Sequence, residues 1–281
     1  MSTDFHFIIS CETMADNRAM SDPLTDPLYA DPEAYDLAYG WDSLAETRDV
    51  VAAAAALLGH PVKRALEIGC GTGRVLADLA ALGLAAVGLD RHPGMLAFVE
   101  RKLRAKGLAA ETVNADLRDF RLAVPVDLAI CPLGGIGYLT APGDPERHLA
   151  AVAANLTPGG VYAVGLSFGP IERSALGRKD GWSFTRENLS VEASWTLLAV
   201  DADRGLAEFE AALTIRRPGD PERRIVARHV HRKWDQPQFY RLIAASPFRL
   251  AGLAWRDLTP IDPALRLSYA DEEVYVFLQK A

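Results

Sequence analysis

Leu66-Glu67-Ile68-Gly69-Cys70-Gly71-Thr72-Gly73-Arg74 is the stretch on which the fold turns. The apolar run Val62 to Ile68 predicts a short buried strand, and Thr72 to Leu82 predicts a helix that stops at Gly83. Glycines at a strand-to-helix junction allow a tight turn and let a ligand lie against the backbone. Here they stand at 69, 71 and 73, and position 74 is Arg. The dinucleotide fingerprint needs Gly-x-Gly-x-x-Gly, so this turn fits a pyrophosphate cofactor poorly. The Lys-Ser/Thr of a phosphate-binding Walker loop is absent as well.

Outward from this turn, Ala85 to Leu89 predicts a second buried strand ending at Asp90. Pro93 to Lys106 predicts a helix, with proline in its first turn and Gly107 past its end. Glu111 to Asn114 and Val126 to Cys131 predict two more strands, Pro145 to Leu156 a helix, and Val161 to Leu166 a fifth strand. Strands alternating with helices of this length mean βαβ units and a parallel sheet. Upstream, Asp22-Pro23, Asp26-Pro27 and Asp31-Pro32 read as turns, and Glu33 to Tyr39 as a short helix. Asp42 or Ser43 suits the cap of a helix reaching about Leu58, closed by Gly59 and Pro61. Residues 1–19 read as a loose arm or an upstream extension.

After Ser167 the pattern alternates. Leu189 to Val200, Leu206 to Arg217 and Arg224 to Trp234 are divided by turn clusters at 201–205 and 218–221, which predicts a three-stranded antiparallel meander. Asp235 then caps a helix to about Ala245, and Phe248 to Trp255 and Val274 to Gln279 predict two closing strands. The expected architecture is α/β: a Rossmann-like, doubly wound, mostly parallel seven-stranded sheet with an antiparallel β insert after the fifth strand. The expected division is an arm and helical cap over 1–59, a ligand-binding domain over 60–169 and 236–281, and the insert over 170–235.

Composition narrows the function classes. The 281 residues are 49% hydrophobic and 24% charged, ordinary for a globular chain that needs no staples. With 30 Lys and Arg against 37 Asp and Glu, the net charge of −7 argues against a nucleic-acid binder. Three cysteines without metal-site spacing make no disulfide framework and point to the cytoplasm. No run approaches the roughly 18 apolar residues of a membrane span, so no membrane partner is expected. Phe5-His6-Phe7-Ile8-Ile9 is too short for a signal peptide and has no basic residue before it.

The Leu66–Arg74 turn resembles motif I of class I S-adenosylmethionine-dependent methyltransferases. Three further matches stand where that fold wants them. Asp90 closes the second strand, where the family's acidic residue holds both ribose hydroxyls; a carboxylate suits a neutral diol because it accepts two hydrogen bonds. Asp116, in Asn114-Ala115-Asp116-Leu117, matches the residue that meets the adenine amino group. Leu156 to Gly160 (Leu-Thr-Pro-Gly-Gly) resembles the turn into the fifth strand. The resemblance covers roughly residues 60–170 and implies S-adenosyl-L-methionine as cofactor. The residues it places at the cofactor are Tyr39, Glu67, Gly69, Cys70, Gly71, Gly73, Asp90, Arg91, Met95, Asp116, Leu117 and Pro132. Several have plainer readings. Asp90 also suits a helix N-cap before Pro93, Asp116 a turn cap, Cys70 a small buried residue, and Met95 core filler on a helix.

The acceptor side follows the fourth strand, in Pro132-Leu133-Gly134-Gly135-Ile136-Gly137-Tyr138-Leu139. The Asn/Asp-Pro-Pro-Tyr/Phe motif of nucleic-acid amino methylation is absent. Ile136 to Leu139 resembles the loop of small-molecule N-methyltransferases, the amino-sugar N,N-dimethyltransferases above all, and Arg118-Asp119-Phe120 and Tyr240 fit that group as well. Glycine-type N-methyltransferases share the architecture. The chain departs from the amino-sugar group in having Gly134 and Gly135 where small polar residues are frequent, and Tyr138 where histidine is common. The resemblance implies methyl transfer to a small-molecule acceptor, at an amine before a hydroxyl, in a chain that could dimerise. Alternatives are an O-methyltransferase, a lyase or cyclase that uses the cofactor's aminocarboxypropyl chain, and a non-catalytic scaffold.

Tyr138 is the expected catalytic residue, its hydroxyl orienting an amine; a packed aromatic is the bland alternative. Tyr35, Tyr39 and Trp41 either close over the cofactor or only pack. His229 and His231 share a strand face, which reads as a solvated or interface face before a metal pair, since no third ligand is spaced to join them. No metal is expected. Arg173, Arg178 and Lys179 read as a solvated loop or as contacts to an anionic substrate.

Overall fold

The computed structural model describes residues 24–169, 173–268 and 273–281. The expected arm over 1–19 lies outside them. The chain opens with helices α1 (Pro32–Tyr39) and α2 (Leu44–Leu58), then alternates β1 (Arg64–Ile68), α3 (Arg74–Ala81), β2 (Ala85–Asp90), α4 (Pro93–Ala105) and β3 (Glu111–Asn114). β4 (Val126–Cys131), α5 (Asp144–Asn155) and β5 (Leu156–Leu166) follow. Four antiparallel strands come next: β6 (Lys179–Arg186), β7 (Leu189–Asp201), β8 (Leu206–Arg216) and β9 (Arg223–Arg232). The chain closes with α6 (Gln236–Ala244), β10 (Phe248–Trp255) and β11 (Val274–Lys280).

The main sheet has seven strands in the order β10-β11-β5-β4-β1-β2-β3. β1 to β5 pair in parallel, and β11 runs antiparallel to both β5 and β10. Strand order reverses between β1 and β4, and in open α/β sheets ligands bind above the carboxyl ends of the strands at that point. The central strands read as continuous apolar runs because both faces are covered. Leu66, Val87, Ala129 and Val164 belong to one buried layer, and Ala65, Ala86, Leu128 and Ala163 to the other. β5 begins at Leu156, earlier than expected. The Leu-Thr-Pro-Gly-Gly segment is already extended, and an irregularity opposite Val126 to Leu128 absorbs it.

The insert forms a separate sheet in the order β6-β7-β8-β9. It has four strands, not the three expected. The extra strand is β6, whose Lys179 had been read as loop; most of its residues are exposed, and β7 pairs with it along its length. One face of this sheet buries Val191, Ala193, Leu213, Ile215 and Ala227 against Leu28, Ala34, Leu37 and Ala38, so α1 packs on the insert. Two indoles fix that contact. Trp182 Nε1 donates to Ala38 O at 2.8 Å, and Trp195 Nε1 donates to the Tyr39 hydroxyl at 2.9 Å. Among the described residues no helix is long and apolar enough to cross a membrane.

Candidate active site

The glycine turn is held open from both sides. Gly69, Gly71 and Gly73 all have positive φ, which L side chains rarely adopt. A Cβ on Gly73 would sit 2.0 Å from Val99 Cγ2, so this glycine lets α3 close on α4. A Cβ on Gly71 would meet only Tyr35 Cε1, at 3.7 Å, so the space above this turn is bounded by an aromatic ring. The Asp90 carboxylate accepts the Gly71 N–H at 2.8 Å with one oxygen and the His92 N–H at 2.8 Å with the other. Burial raises its pKa. The N-cap of α4 is His92, whose Nδ1 accepts from Met95 N; Asp90 therefore does not have the capping role open to it in sequence.

Glu67 points from β1 beneath the turn and accepts the Leu76 N–H at 2.7 Å, satisfying one of the donors that a helix leaves free in its first turn. It is buried, and desolvation pushes its carboxyl up to about 8. Arg74 follows the turn at the start of α3 and is also buried. Its guanidinium lies 4.9 Å from the Trp41 ring centroid, and its Nη1 and Nη2 find no hydrogen-bond partner among the described residues. A buried cation with idle donors is costly unless an anion meets it. That fits the carboxylate of a bound amino-acid moiety, such as the methionine part of S-adenosylmethionine. In the sequence Arg74 stands only as a departure from a spacing rule, and its buried guanidinium, whose Nη atoms have no hydrogen-bond partner among the described residues, is visible in the structure alone.

The remaining expected cofactor residues have the following surroundings. Arg91 Nη1 is 3.7 Å from Asp116 Oδ2, so the ends of β2 and β3 meet there. Asp116 accepts the Arg118 N–H at 2.8 Å and two guanidinium bonds from the same residue, which hold its carboxyl down to about 2. The turn-cap reading thus describes its local bonding. Leu117 packs at the edge of the core and lends its carbonyl to the buried His148. Met95 and Cys70 are buried, and burial raises the Cys70 thiol well above its ordinary value. Pro132 opens the loop after β4, where Gly135 N donates to its carbonyl at 3.1 Å. Tyr39 stacks on Tyr35 at 4.5 Å, with its hydroxyl bonded to Trp195 and pushed up to about 12 by burial.

The acceptor loop and the insert come together over this turn. Leu133 and Gly134 have positive φ, and a 3-10 turn, Gly135–Tyr138, carries Tyr138 under β9. The Tyr138 hydroxyl is 3.2 Å from His229 Nδ1 and 3.4 Å from the Tyr29 hydroxyl. Arg232 pins the loop to β9 by donating to Leu139 O at 2.9 Å and Thr140 O at 2.6 Å. Beside Tyr138 lies a cavity of about 120 Å³ whose lining includes Leu133, His231, Lys233, Trp234 and Glu273. Burial lowers Lys233 to about 8 and raises Glu273, and His231 Nε2 and Trp234 Nε1 find no partner among the described residues.

His229 and His231 do not face solvent, as the sequence reading had favoured. Their rings lie against Tyr138 and Trp195, at centroid distances of 4.5 to 5.9 Å, and burial lowers both pKa values. Among the described residues no group of three His, Cys, Asp or Glu could hold a metal ion. Arg178 lies at the surface against Asp180, and the Arg173 side chain lies outside the described residues. Tyr29 and Glu273 were missed; Tyr29 follows a turn at Pro27 whose contacts are long-range.

Comparison with known proteins agrees with the fold. A family profile described as a methyltransferase domain matches residues 65–160. A dTDP-3-amino-3,6-dideoxy-alpha-D-glucopyranose N,N-dimethyltransferase of Streptomyces fradiae is 30% identical over 153 residues, 54% of this chain and 58% of that protein. The chain therefore spans little more than half the length of that relative. A dTDP-3-amino-3,4,6-trideoxy-alpha-D-glucopyranose N,N-dimethyltransferase of Streptomyces venezuelae is 26% identical over 231 residues, 78% of this chain and 90% of that protein. An S-adenosylmethionine-dependent methyltransferase from Clostridium acetobutylicum has the same fold, with a TM-score of 0.70 at 16% identity over 86% of this chain and 93% of its own. The chain carries a methyltransferase domain, on the fold of the S-adenosylmethionine-dependent methyltransferases.

Proposed function

We propose that this protein transfers a methyl group from S-adenosylmethionine to the amine of a small, sugar-like molecule. One observation carries the reading: an unbroken aromatic chain links the cofactor turn to the acceptor loop. Gly71 faces Tyr35, Tyr35 meets Tyr29 at 5.5 Å, and the Tyr29 hydroxyl meets that of Tyr138. Both curated relatives described above act, by name, on a 3-amino sugar, and that supports an amine as the acceptor.

When bound, the cofactor supplies an electrophilic methyl group on a sulfonium. The chain's own residues do the rest. Arg74 would hold the carboxylate of its amino-acid moiety, Asp90 the ribose hydroxyls, and Asp116 with Arg91 the adenine. Tyr138 orients the amine, and the insert with α1 excludes water. This assigns the binding core to 60–169 with 236–281 and the lid to 170–235 with α1. We further propose a homodimer joined through the insert, whose edge strands expose Phe184 and Val226. The cytoplasm is the proposed location, supported by the buried unpaired Cys70 and Cys131.

The test uses dTDP-3-amino-3,6-dideoxy-α-D-glucopyranose and related amines with S-adenosylmethionine. S-adenosylhomocysteine together with a methylated amine supports the reading. Methylthioadenosine as coproduct would replace it with transfer of the aminocarboxypropyl chain, and absence of cofactor binding in calorimetry would leave a scaffold.

A further inference from the structure

A polar chain crosses the lid, running from the N-terminal turn to the acceptor loop. Asp26 is buried; its Oδ1 accepts the Leu28 N–H at 2.9 Å, and its Oδ2 lies 3.7 Å from His229 Nε2, an ion-pair distance longer than a hydrogen bond, at a nitrogen with no hydrogen-bond partner among the described residues. The other nitrogen of that ring, Nδ1, is 3.2 Å from the Tyr138 hydroxyl. Each end of the imidazole thus faces one oxygen. With the proton on Nε2, toward the carboxylate, Nδ1 is bare and accepts from Tyr138, and the Tyr138 oxygen is left to accept from the Tyr29 hydroxyl at 3.4 Å or from a group on the ligand side.

We propose that Asp26, His229 and Tyr138 form a proton relay that draws the proton from the methylated amine. The proposal rests on the reading of Tyr138 as the residue that touches the acceptor. In the step, the amine lone pair makes the new N–C bond, the C–S pair stays on sulfur, and the nitrogen becomes an ammonium with one proton to lose. That proton passes to the Tyr138 oxygen while the Tyr138 proton moves to His229 Nδ1. The imidazolium so formed faces the Asp26 carboxylate and later releases its proton to solvent. A second methylation of the same nitrogen requires this loss, because only a bare lone pair attacks.

The surroundings suit a neutral base. Burial lowers the His229 pKa and Asp26 acts against it. The ring faces Asp26 and Tyr29 from the N-terminal turn, Tyr138 from the loop, Trp195 from β7 and His231 on its own strand, with Lys233 beyond. On β8 its register partner is Phe209, so Glu208 and Glu210 point to the opposite face. Asp26 and His229 act through Tyr138 and are positioning residues.

Imidazole NMR titration of the full chain without ligand is the first test, with the His229 signal assigned by its loss in His229→Gln. Asp26→Asn, which can still accept from Leu28, should shift the His229 pKa downward. An unchanged pKa would overturn the relay. The second test is the pH profile of kcat with dTDP-3-amino-3,6-dideoxy-α-D-glucopyranose as the probe acceptor. His229→Gln should lower kcat about 100-fold, with KM little changed, the scale of a lost general base, and remove the His229 ionisation from the acidic limb while leaving that of the acceptor amine. Asp26→Asn, which keeps the packed ring, should move that limb to lower pH. Wild-type profiles in both variants would overturn the proposal. A wild-type protein inert toward every amine would defeat the proposed function instead, and the NMR arm would still decide the relay.

Discussion

The Asp90 carboxylate accepts the backbone N–H of Gly71 at 2.8 Å and so ties the end of β2 to the glycine turn beside it. The residue proposed to grip the ribose therefore also fixes the loop proposed to carry the cofactor. Asp90→Ala should weaken S-adenosylmethionine binding by about 1.5–3 kcal/mol, the scale of hydrogen bonds to a charged group, and should lower the melting temperature slightly. Calorimetry with unchanged affinity would remove Asp90 from the site.

Two glycines in the same turn should fail differently. Gly71→Val places a β-branched side chain at φ +50 in the space above the turn, so cofactor binding should vanish, while the stability loss is confined to the strain of positive φ with no clash added. Gly73→Ala drives a methyl into Val99 Cγ2, so it should cost about 1–3 kcal/mol of stability through overpacking. Circular-dichroism melts and calorimetry on both variants separate the outcomes. Equal loss of stability in the two would refute this division of roles.

Arg74 should show its purpose through ligand choice. Arg74→Met keeps the apolar stem and removes the idle guanidinium. Affinity for S-adenosylhomocysteine should fall about 10- to 100-fold, the loss of charged hydrogen bonds. Affinity for methylthioadenosine, which has no carboxylate, should not change. A parallel loss for both ligands would mean that Arg74 serves the fold alone.

The centre of the sheet was legible because β1, β2, β4 and β5 are largely buried runs and the helices α3 and α4 are followed by Gly83 and Gly107. The inward turn of His229 and His231 runs against the sequence expectation of a solvated or interface face, although the strand phase carries a signal for it. They continue the period-2 phase of Ile225 and Ala227, which are buried, yet their polarity suggested solvent. β6 was not legible: Lys179-Asp180-Gly181-Trp182-Ser183-Phe184 has no buried apolar face, and β7 supplies its order through the backbone ladder. The Arg74 guanidinium, and the Tyr29 contact to Tyr138 across 109 positions, depend on tertiary packing that no local pattern encodes.

Glu67 gives a pH signature of the folded chain. Folded, it keeps its proton up to about pH 8; a free glutamate loses it near 4.5. Between these values the folded state binds more protons than the unfolded one, so this residue's contribution is present at low pH and fades as pH rises toward 8. Glu67→Gln retains an acceptor for Leu76 N–H and removes the titration. Melting temperatures at pH 6 and pH 8 should therefore differ less in the variant than in the parent. The same difference in both would show that Glu67 titrates normally.

The insert is held to α1 by two indole donors, and this changes what its removal would do. A loop that only covered the acceptor could be deleted without harm to cofactor binding. Here the insert sheet buries Leu28, Ala34 and Leu37 of the N-terminal segment, and α1 carries Tyr35, the ring that faces Gly71. Replacing the insert by a linker should therefore abolish methyl transfer and weaken cofactor binding too. The milder test is the double variant Trp182→Phe, Trp195→Phe, which keeps aromatic volume and deletes the bonds to Ala38 O and the Tyr39 hydroxyl. Each lost bond should cost about 0.5–1.5 kcal/mol. Amide exchange over residues 32–39 should quicken, because α1 is short and owes its order to this contact. Methyl transfer should fall further than cofactor affinity, since water exclusion and acceptor placement depend on closure. Unchanged exchange in α1 would show that the apolar contact alone holds the helix, and unchanged turnover would deny the insert its role as a lid.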